Sequence, residues 1–391
     1  MNRLFANLII ILFVVVMILI YKFVPYLFKK KQKYMPSSVI IGSGSCVPER
    51  VIDGSYFMDS TFYTDAGDLI DKPNDEVIKK FVDITEIEER RYIDEDKMNS
   101  DLGYEAAKEA IYDAGIEQEE IDYIIFASNF GEVSKNGTSN FMPNMAARVK
   151  NKLGIKNRKC ITYDMIFGCP GWIEGVILAD DLLKLGKAKT ILVIGGETLS
   201  RVTDPFDRNK LIFADGAGAV ILQRTEEENV GIIATNTVCD NAEELNYLEC
   251  SKTLNPTAED QDKLYIRMHG RKIYEYALKN VPAAVKETMD EAGITDEDID
   301  KIIMHQANAK MDHAMVSRLF KLFGKSEYDD AVSPMTIQKL GNSSVATIPT
   351  MYDLIAKGEM KGHTFKKGGY IVMGSVGAGM NINCIVYKTP S

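Results

Sequence analysis

Two stretches of this chain, about 178 residues apart, are near copies of one another. Asp113–Phe126 reads DAGIEQEEIDYIIF, and Glu291–Met304 reads EAGITDEDIDKIIM. Each is the end of a helix, a glycine turn, an acidic connection and an apolar strand. Junctions of this type also recur by chance in helix–strand proteins. The reading that constrains the fold most is a duplicated chain with two similarly built halves. Their seam falls at Arg224–Val230, where RTEEENV breaks the apolar pattern. That predicts an N-terminal half over 35–225 and a C-terminal half over 226–391, behind a separate segment of residues 1–34.

The remaining pattern agrees. SSVIIGSGSCV, IDYIIFASNF, KCITYDMIF and KTILVIGGE are short apolar runs bounded by turn formers, which predicts buried strands. Between them, SDLGYEAAKEAIYDAG and PGWIEGVILADDLLKLGKA carry helical periodicity. The alternation predicts layered α/β architecture with a largely parallel sheet.

Six cysteines (46, 160, 169, 239, 250 and 384) show no CxxC pair, and four scattered histidines form no ligand cluster, so no metal site is expected. Cysteine usage of this kind suits a reducing compartment, where a special thiol is catalytic rather than structural. The charge is uneven. Arg3, Lys22, Lys29, Lys30, Lys31 and Lys33 stand unopposed, leaving 40 basic against 56 acidic residues in the rest. So acidic a body argues against nucleic acid as a partner, since that binding neutralises phosphates.

Leu4–Tyr21 carries no charge, and KKKQK follows soon after. The run is long enough to cross a hydrocarbon core. It lacks the leading charge block and small-residue cleavage site of a signal peptide, and the polar stripe of a core helix. The expectation is a single-pass transmembrane anchor at the cytoplasmic membrane, with the basic flank and the catalytic domain facing the cytoplasm.

Three places combine reactive side chains with unusual local backbone. In FGCPGW, Cys169 ends a strand and opens a helix, with Pro170 suited to the first turn. Free N–H groups and the helix dipole there favour a thiolate, although a cysteine at such a junction also serves as a small buried hydrophobe. In HQAN, His305 follows the duplicated strand IDKIIM, where α/β sheets place ligands. In GNSS, Asn342 precedes a helix-like segment, as a cap or turn residue also would. A glycine-rich strand end, Gly374-Ser375-Val376-Gly377-Ala378-Gly379, offers backbone N–H groups for an oxyanion.

Taken together, GCPGW, HQAN and GNSS resemble the catalytic signatures of the β-ketoacyl-ACP synthase III family, within the thiolase superfamily. TEIEERR (Thr85–Arg91), DPFDR (Asp204–Arg208), ADGAGA (Ala214–Ala219) and MHGRKIY (Met268–Tyr274) match in register from about Ser38 to Lys388. The resemblance implies a thiolase-like five-layered αβαβα fold from two duplicated halves. It implies Cys169 as acyl-accepting nucleophile, the N–H groups of Cys169 and Ala378 as oxyanion hole, and His305 and Asn342 as donors to the extender carbonyl. The activity implied is decarboxylative condensation of an acyl thioester with a malonyl-type thioester, giving a 3-oxoacyl product in lipid or fatty-acid biosynthesis. Implied partners are an acyl-CoA or acyl-ACP donor, a malonyl-type thioester on acyl carrier protein and a second copy of the chain; no cofactor is implied. Met142 matches the segment that crosses the dimer to close the acyl pocket of the partner. Arg267, Arg271 and Lys272 resemble the patch that docks acidic carrier protein, and would otherwise be a solvated helix face.

Some residues depart from the family. Asp75-Glu76-Val77 stands where Asp-Glu-Trp is typical, Val376 replaces an aromatic, and Pro170 follows the nucleophile. Specialised enzymes of the same superfamily, which build alkylresorcinol-like or head-to-head lipids, share the triad. The order Cys169, His305, Asn342 also suits a papain-like Cys-His-Asn hydrolase, but the flanks of Cys169 do not.

Overall fold

The computed structural model describes residues 36–391. Its first strand, β1 (Ser37–Cys46), is followed by β2 (Arg50–Asp53), α1 (Asn74–Thr85) and β3 (Glu89–Tyr92). Next come α2 (Asn99–Ala114), β4 (Tyr123–Ser128), the short ribbon of β5 (Glu132–Val133) and β6 (Ser139–Asn140), and α3 (Met145–Leu153). Then β7 (Ile161–Ile166), α4 (Gly171–Lys184), β8 (Thr190–Thr198) and β9 (Asp215–Thr225) complete a five-stranded sheet in the order β1-β9-β8-β4-β7. Beyond it run β10 (Gly231–Cys239), a ribbon of β11 (Leu248–Lys252) and β12 (Leu264–Met268), α5 (Gly270–Ala292), β13 (Ile299–Met304) and α6 (Ala309–Leu322). After α7 (Ile337–Leu340) and α8 (Thr347–Ala356), β14 (Tyr370–Gly377) and β15 (Asn381–Lys388) finish a second sheet, β10-β15-β14-β13.

The expected largely parallel sheet is corrected to two mixed ones. β4 pairs in parallel with β7 and β8, and β13 with β14. The β1–β9, β8–β9, β10–β15 and β14–β15 pairs are antiparallel. The physical reason is connection length. A parallel pair needs a crossover, and β14 reaches β15 through Ala378–Met380 alone.

The sheets pack between layers of helices, which explains why β8 is inaccessible along its whole length and apolar from Ile191 to Gly196. Trp172, Val176 and Leu183 of α4 and Ile348, Met351 and Ile355 of α8 pack between them. They meet Val193 and Val220 on one side and Ile303, Ile371 and Ile385 on the other. Helices α2 and α3 cover the outer face of the first sheet, and α5 and α6 that of the second. The two near-copied segments fold alike. Gly115 (φ 62°) and Gly293 (φ 70°) terminate α2 and α5 in the left-handed region, which glycine enters without strain. Each is followed by a single 3₁₀ turn stapled by an acid, Glu120 to the N–H of Glu117 and Asp298 to that of Thr295, before β4 or β13.

The apolar run Leu4–Tyr21 and its basic flank lie outside the described residues. Among the described residues no helix is long and apolar enough to cross a membrane, and the expected single-pass membrane location is corrected on that finding. The reason is visible in the helices. The most apolar long one, α4, has 14 residues, and the longest, α5, has 23 residues but a face of Arg271, Lys272, Glu275, Lys279, Lys286 and Asp290.

Candidate active site

Cys169 sits in the turn between β7 and α4, which starts at Gly171 with Pro170 as its cap and the Gly171 N–H bonded to Gly168 O at 2.8 Å. The expected thiolate-favouring effect of the helix start is outweighed. Burial pushes the thiol up to about 11, the Glu197 carboxylate adds to that, and hydrogen bonds from Ser344 and from its own backbone N–H oppose it.

His305 follows β13, and its N–H bonds to Gly374 O at 2.8 Å, extending the β13–β14 ladder by one residue. It is buried, and this desolvation pushes the imidazole down to about 4, against an opposing hydrogen bond with the Ser344 backbone. Its neighbours in HQAN are spent on the fold. Gln306 accepts from the N–H groups of Thr336 and Ile337 and donates to Pro334 O, while Asn308 caps α6 at Met311.

Asn342 is pinned to the strand leading into β9, its N–H on Ile212 O (3.0 Å) and its carbonyl on the Ala214 N–H (2.8 Å). Its Oδ1 accepts the Ser344 N–H at 2.8 Å. The amide nitrogen is thereby left as the free end, a donor.

The glycine-rich strand end meets the Cys169 turn backbone to backbone. A Cβ on Gly377 would lie 2.4 Å from Cys169 N, and one on Gly168 would lie 2.5 Å from Ala378 N. Only glycine allows this approach, which brings the Cys169 and Ala378 segments together. Cys169, His305, Asn342, Ser344 and Asn129 line one cavity of about 40 Å³ whose other walls include Leu199, Phe213, Leu248, Met268, Met311 and Met380. Beside it, a cleft of about 360 Å³ shares Asn129, Leu248 and Ile266 and reaches Phe167, Ala378 and Cys250.

The other expected site residues are placed differently. Met142 is 85% exposed and lines neither space in its own chain. Arg267 does not stand with Arg271 and Lys272 on a helix face. It belongs to β12, is buried, and is ion-paired to Asp204 (3.2 Å) and Asp207 (2.9 Å), so its charge is consumed inside the fold. That corrects its assignment to carrier docking. Arg271 and Lys272 are exposed in the first turn of α5, Arg271 pairing with Glu275 and Lys272 lying over the Tyr247 ring.

Sequence reasoning missed Asn129, Glu197 and Ser344. Asn129 N–H and Nδ2 both reach Glu197 Oε1, at 2.7 and 2.5 Å, and Nδ2 also reaches Ser344 Oγ at 2.8 Å. Burial, opposed by these bonds, pushes the Glu197 carboxyl up to about 8. The signal available was an acid closing the otherwise apolar run TILVIGGE.

The family 3-oxoacyl-(acyl-carrier-protein) synthase III matches residues 163–241, and its C-terminal counterpart matches residues 289–389. The β-ketoacyl-(acyl-carrier-protein) synthase III of Clostridium acetobutylicum is 33% identical over 359 residues, covering 90% of this chain and 99% of that protein. The enzyme of the same name from Staphylococcus aureus is 32% identical, covering 89% and 98%. The crystal structure of 3-oxoacyl-(acyl-carrier-protein) synthase III from Aquifex aeolicus matches with a TM-score of 0.73 at 29% identity, covering 90% of this chain and 99% of that one. The thiolase-like α/β fold and the shared sequence lead to one conclusion: the chain belongs to the β-ketoacyl-ACP synthase III family, acyltransferases that condense thioesters with loss of CO₂ to 3-oxoacyl products.

Proposed function

We propose that Cys169 is the nucleophile of this condensation and that His305 and Asn342 are its decarboxylation donors. The observation that carries the reading is the single cavity on which all three converge. In the first half-reaction the Cys169 sulfur attacks the carbonyl carbon of an acyl-CoA or acyl-ACP. The donor's C–S bond breaks, and the departing thiolate takes up the proton that Cys169 has lost. The N–H groups of Cys169 and Ala378 face the oxyanion of that step. In the second, a malonyl thioester on acyl carrier protein lays its carbonyl oxygen against the imidazole N–H of His305 and the amide of Asn342. Its carboxylate leaves as CO₂, the electron pair forms an enolate stabilised by those two donors, and the carbon attacks the acyl-Cys169 carbonyl. Cys169 leaves as thiolate, and the product is a 3-oxoacyl thioester. A neutral His305 suits this, because its one N–H, exchanged from the Ser344 carbonyl to the extender oxygen, reaches the developing charge without the ring first having to be protonated.

The αβαβα layering, with seam near 224–230, fits an ancient duplication, each half supplying one wall of the site. The homodimer is read from the free edge of the first sheet. Ile161, Tyr163 and Ile166 on β7 are exposed, as are Phe141 and Met142 nearby. Apolar edge strands of this kind are normally covered, and Met142 of the partner subunit then closes the cleft beside Cys169. Arg271 and Lys272 fit a docking contact with an acidic carrier protein.

The test is direct. Incubation with a panel of acyl-CoA and acyl-ACP donors adds one acyl mass to the peptide bearing Cys169, and C169S remains unlabelled. An unmodified Cys169 across the panel would sink the mechanism.

A further inference from the structure

Ser344 lines the same cavity as every member of the proposed catalytic set. Its N–H is held by Asn342 Oδ1 at 2.8 Å, which keeps the residue at φ 52°, a left-handed conformation that serine seldom adopts. Its backbone bonds with His305, and its hydroxyl accepts from Asn129 and shares the cavity with Cys169. The direction of each hydrogen bond follows from counting protons. Asn129 Nδ2 has two hydrogens; one goes to Glu197 Oε1 at 2.5 Å and the other to Ser344 Oγ at 2.8 Å. Ser344 Oγ is thus already an acceptor, and its own proton has to point elsewhere. The sulfur of Cys169, which lines the same cavity, is an acceptor available there.

We propose that the Ser344 hydroxyl is a hydrogen-bond donor to the Cys169 sulfur, held in that role by Asn129, whose orientation is set by Glu197. The proposal rests on Cys169 being the nucleophile and adds three residues to its machinery. Ser344 touches the reacting atom; Asn129 and Glu197 act through it as positioning residues. The donor serves twice, because sulfur carries negative charge before it attacks the acyl donor and again when it leaves the acyl-enzyme. A half-buried thiol raised by desolvation, with no cation beside it among the described residues, needs such a donor more than an exposed one does. The titratable groups facing Cys169 are His305, uncharged near pH 7, and Glu197, pushed up to about 8 and so mostly neutral near pH 7, whose charge opposes thiolate formation once it ionises. Glu197 is itself without a cation partner among the described residues, its carboxyl being met by the two Asn129 donors on a single oxygen.

Alkylation of Cys169 by iodoacetamide reads the thiolate directly and needs no substrate. Rates are taken from pH 6 to 11 by mass spectrometry of the Cys169 peptide, because Cys239 and Cys250 are also accessible. Ser344→Gly removes the hydroxyl and tolerates the positive φ. It is expected to move the profile up by about one pH unit, a roughly tenfold slower reaction at pH 8. Glu197→Ala frees Asn129, which moves the profile up, but also removes a charge that opposes the thiolate, so it is compared with Glu197→Gln, which removes the same charge. Glu197→Gln keeps an acceptor oxygen for both Asn129 donors and is expected to react at least as fast as wild type and several-fold faster than E197A. A purely structural role for Glu197 would not separate these two profiles in folded protein. A profile unchanged in S344G overturns the proposal, and E197A reacting as fast as E197Q overturns the part given to Glu197. Should S344G not fold, the E197A and E197Q pair carries the test. A wild-type chain that alkylates normally but accepts no acyl group would instead overturn the proposed function.

Discussion

Asn342 Oδ1 accepts the backbone N–H of Ser344 at 2.8 Å, and that bond decides which end of the Asn342 amide faces the substrate. With the oxygen occupied, the nitrogen is the donor available to an extender carbonyl. Asn342→Asp preserves the bond to Ser344 but puts a carboxylate oxygen where the donor was. It is expected to slow malonyl decarboxylation by about 10²–10³-fold while Cys169 still takes up an acyl group. Released CO₂ measured beside acyl-Cys169 mass separates the steps; undiminished CO₂ release would remove Asn342 from this role.

His305 gives a pH dependence of definite sign. Its folded value, about 4, lies below the ordinary 6.5. Between those limits the unfolded chain binds a proton that the folded chain does not. Stability therefore rises with pH through this window and is lost as pH falls, by roughly 3 kcal/mol over its full span. Urea unfolding of wild type and His305→Gln at pH 4.5 and 7 checks this. The difference between the two pH values is expected to shrink in the variant.

The contact of Gly377 with the nucleophile turn predicts a steep response to one methyl group. In Gly377→Ala the new Cβ would sit 2.4 Å from Cys169 N, so a backbone segment must move. A stability loss of about 1–3 kcal/mol is expected, with acylation of Cys169 reduced at least tenfold. Normal acylation in a folded G377A chain would show that the oxyanion geometry does not depend on this approach.

Arg267 and its helical neighbours should separate cleanly. Arg267→Met leaves Asp204 and Asp207 buried without their cation, a loss of about 3–5 kcal/mol in thermal or chemical unfolding. Arg271→Ala with Lys272→Ala should leave unfolding within about 0.5 kcal/mol of wild type. The same pair should raise KM for a carrier-protein substrate more than for the corresponding CoA thioester; equal effects on both would argue against docking there.

The α/β layering, the main strands and the convergence of Cys169, His305 and Asn342 were legible because each rests on local signals: apolar runs, turn residues and three compact motifs. Sheet direction was not, since the β8–β9 and β14–β15 pairings depend on where the chain turns back rather than on either strand's composition. Arg267 misled for a related reason. An arginine beside MHGRK reads as part of a basic surface until Asp204 and Asp207, some sixty residues earlier, are seen to enclose it. The thiol of Cys169 misled in the opposite way, because a helix start is visible in sequence and the burial that outweighs it is not. Glu197, Asn129 and Ser344 come from three separate segments, so their hydrogen-bond chain exists only after folding.

The approach of Gly168 to Ala378 and of Gly377 to Cys169 joins the end of one sheet to the end of the other, with no space for a methyl group between them. The sulfur is therefore supplied by one half of the molecule and the proposed second oxyanion donor, the Ala378 N–H, by the other. A species in which the sheets have parted, even with every strand and helix intact, holds a thiol and half a cradle. Turnover in this protein is in that sense an assay of tertiary docking. On partial denaturation it should vanish before far-ultraviolet circular dichroism records any loss of secondary structure.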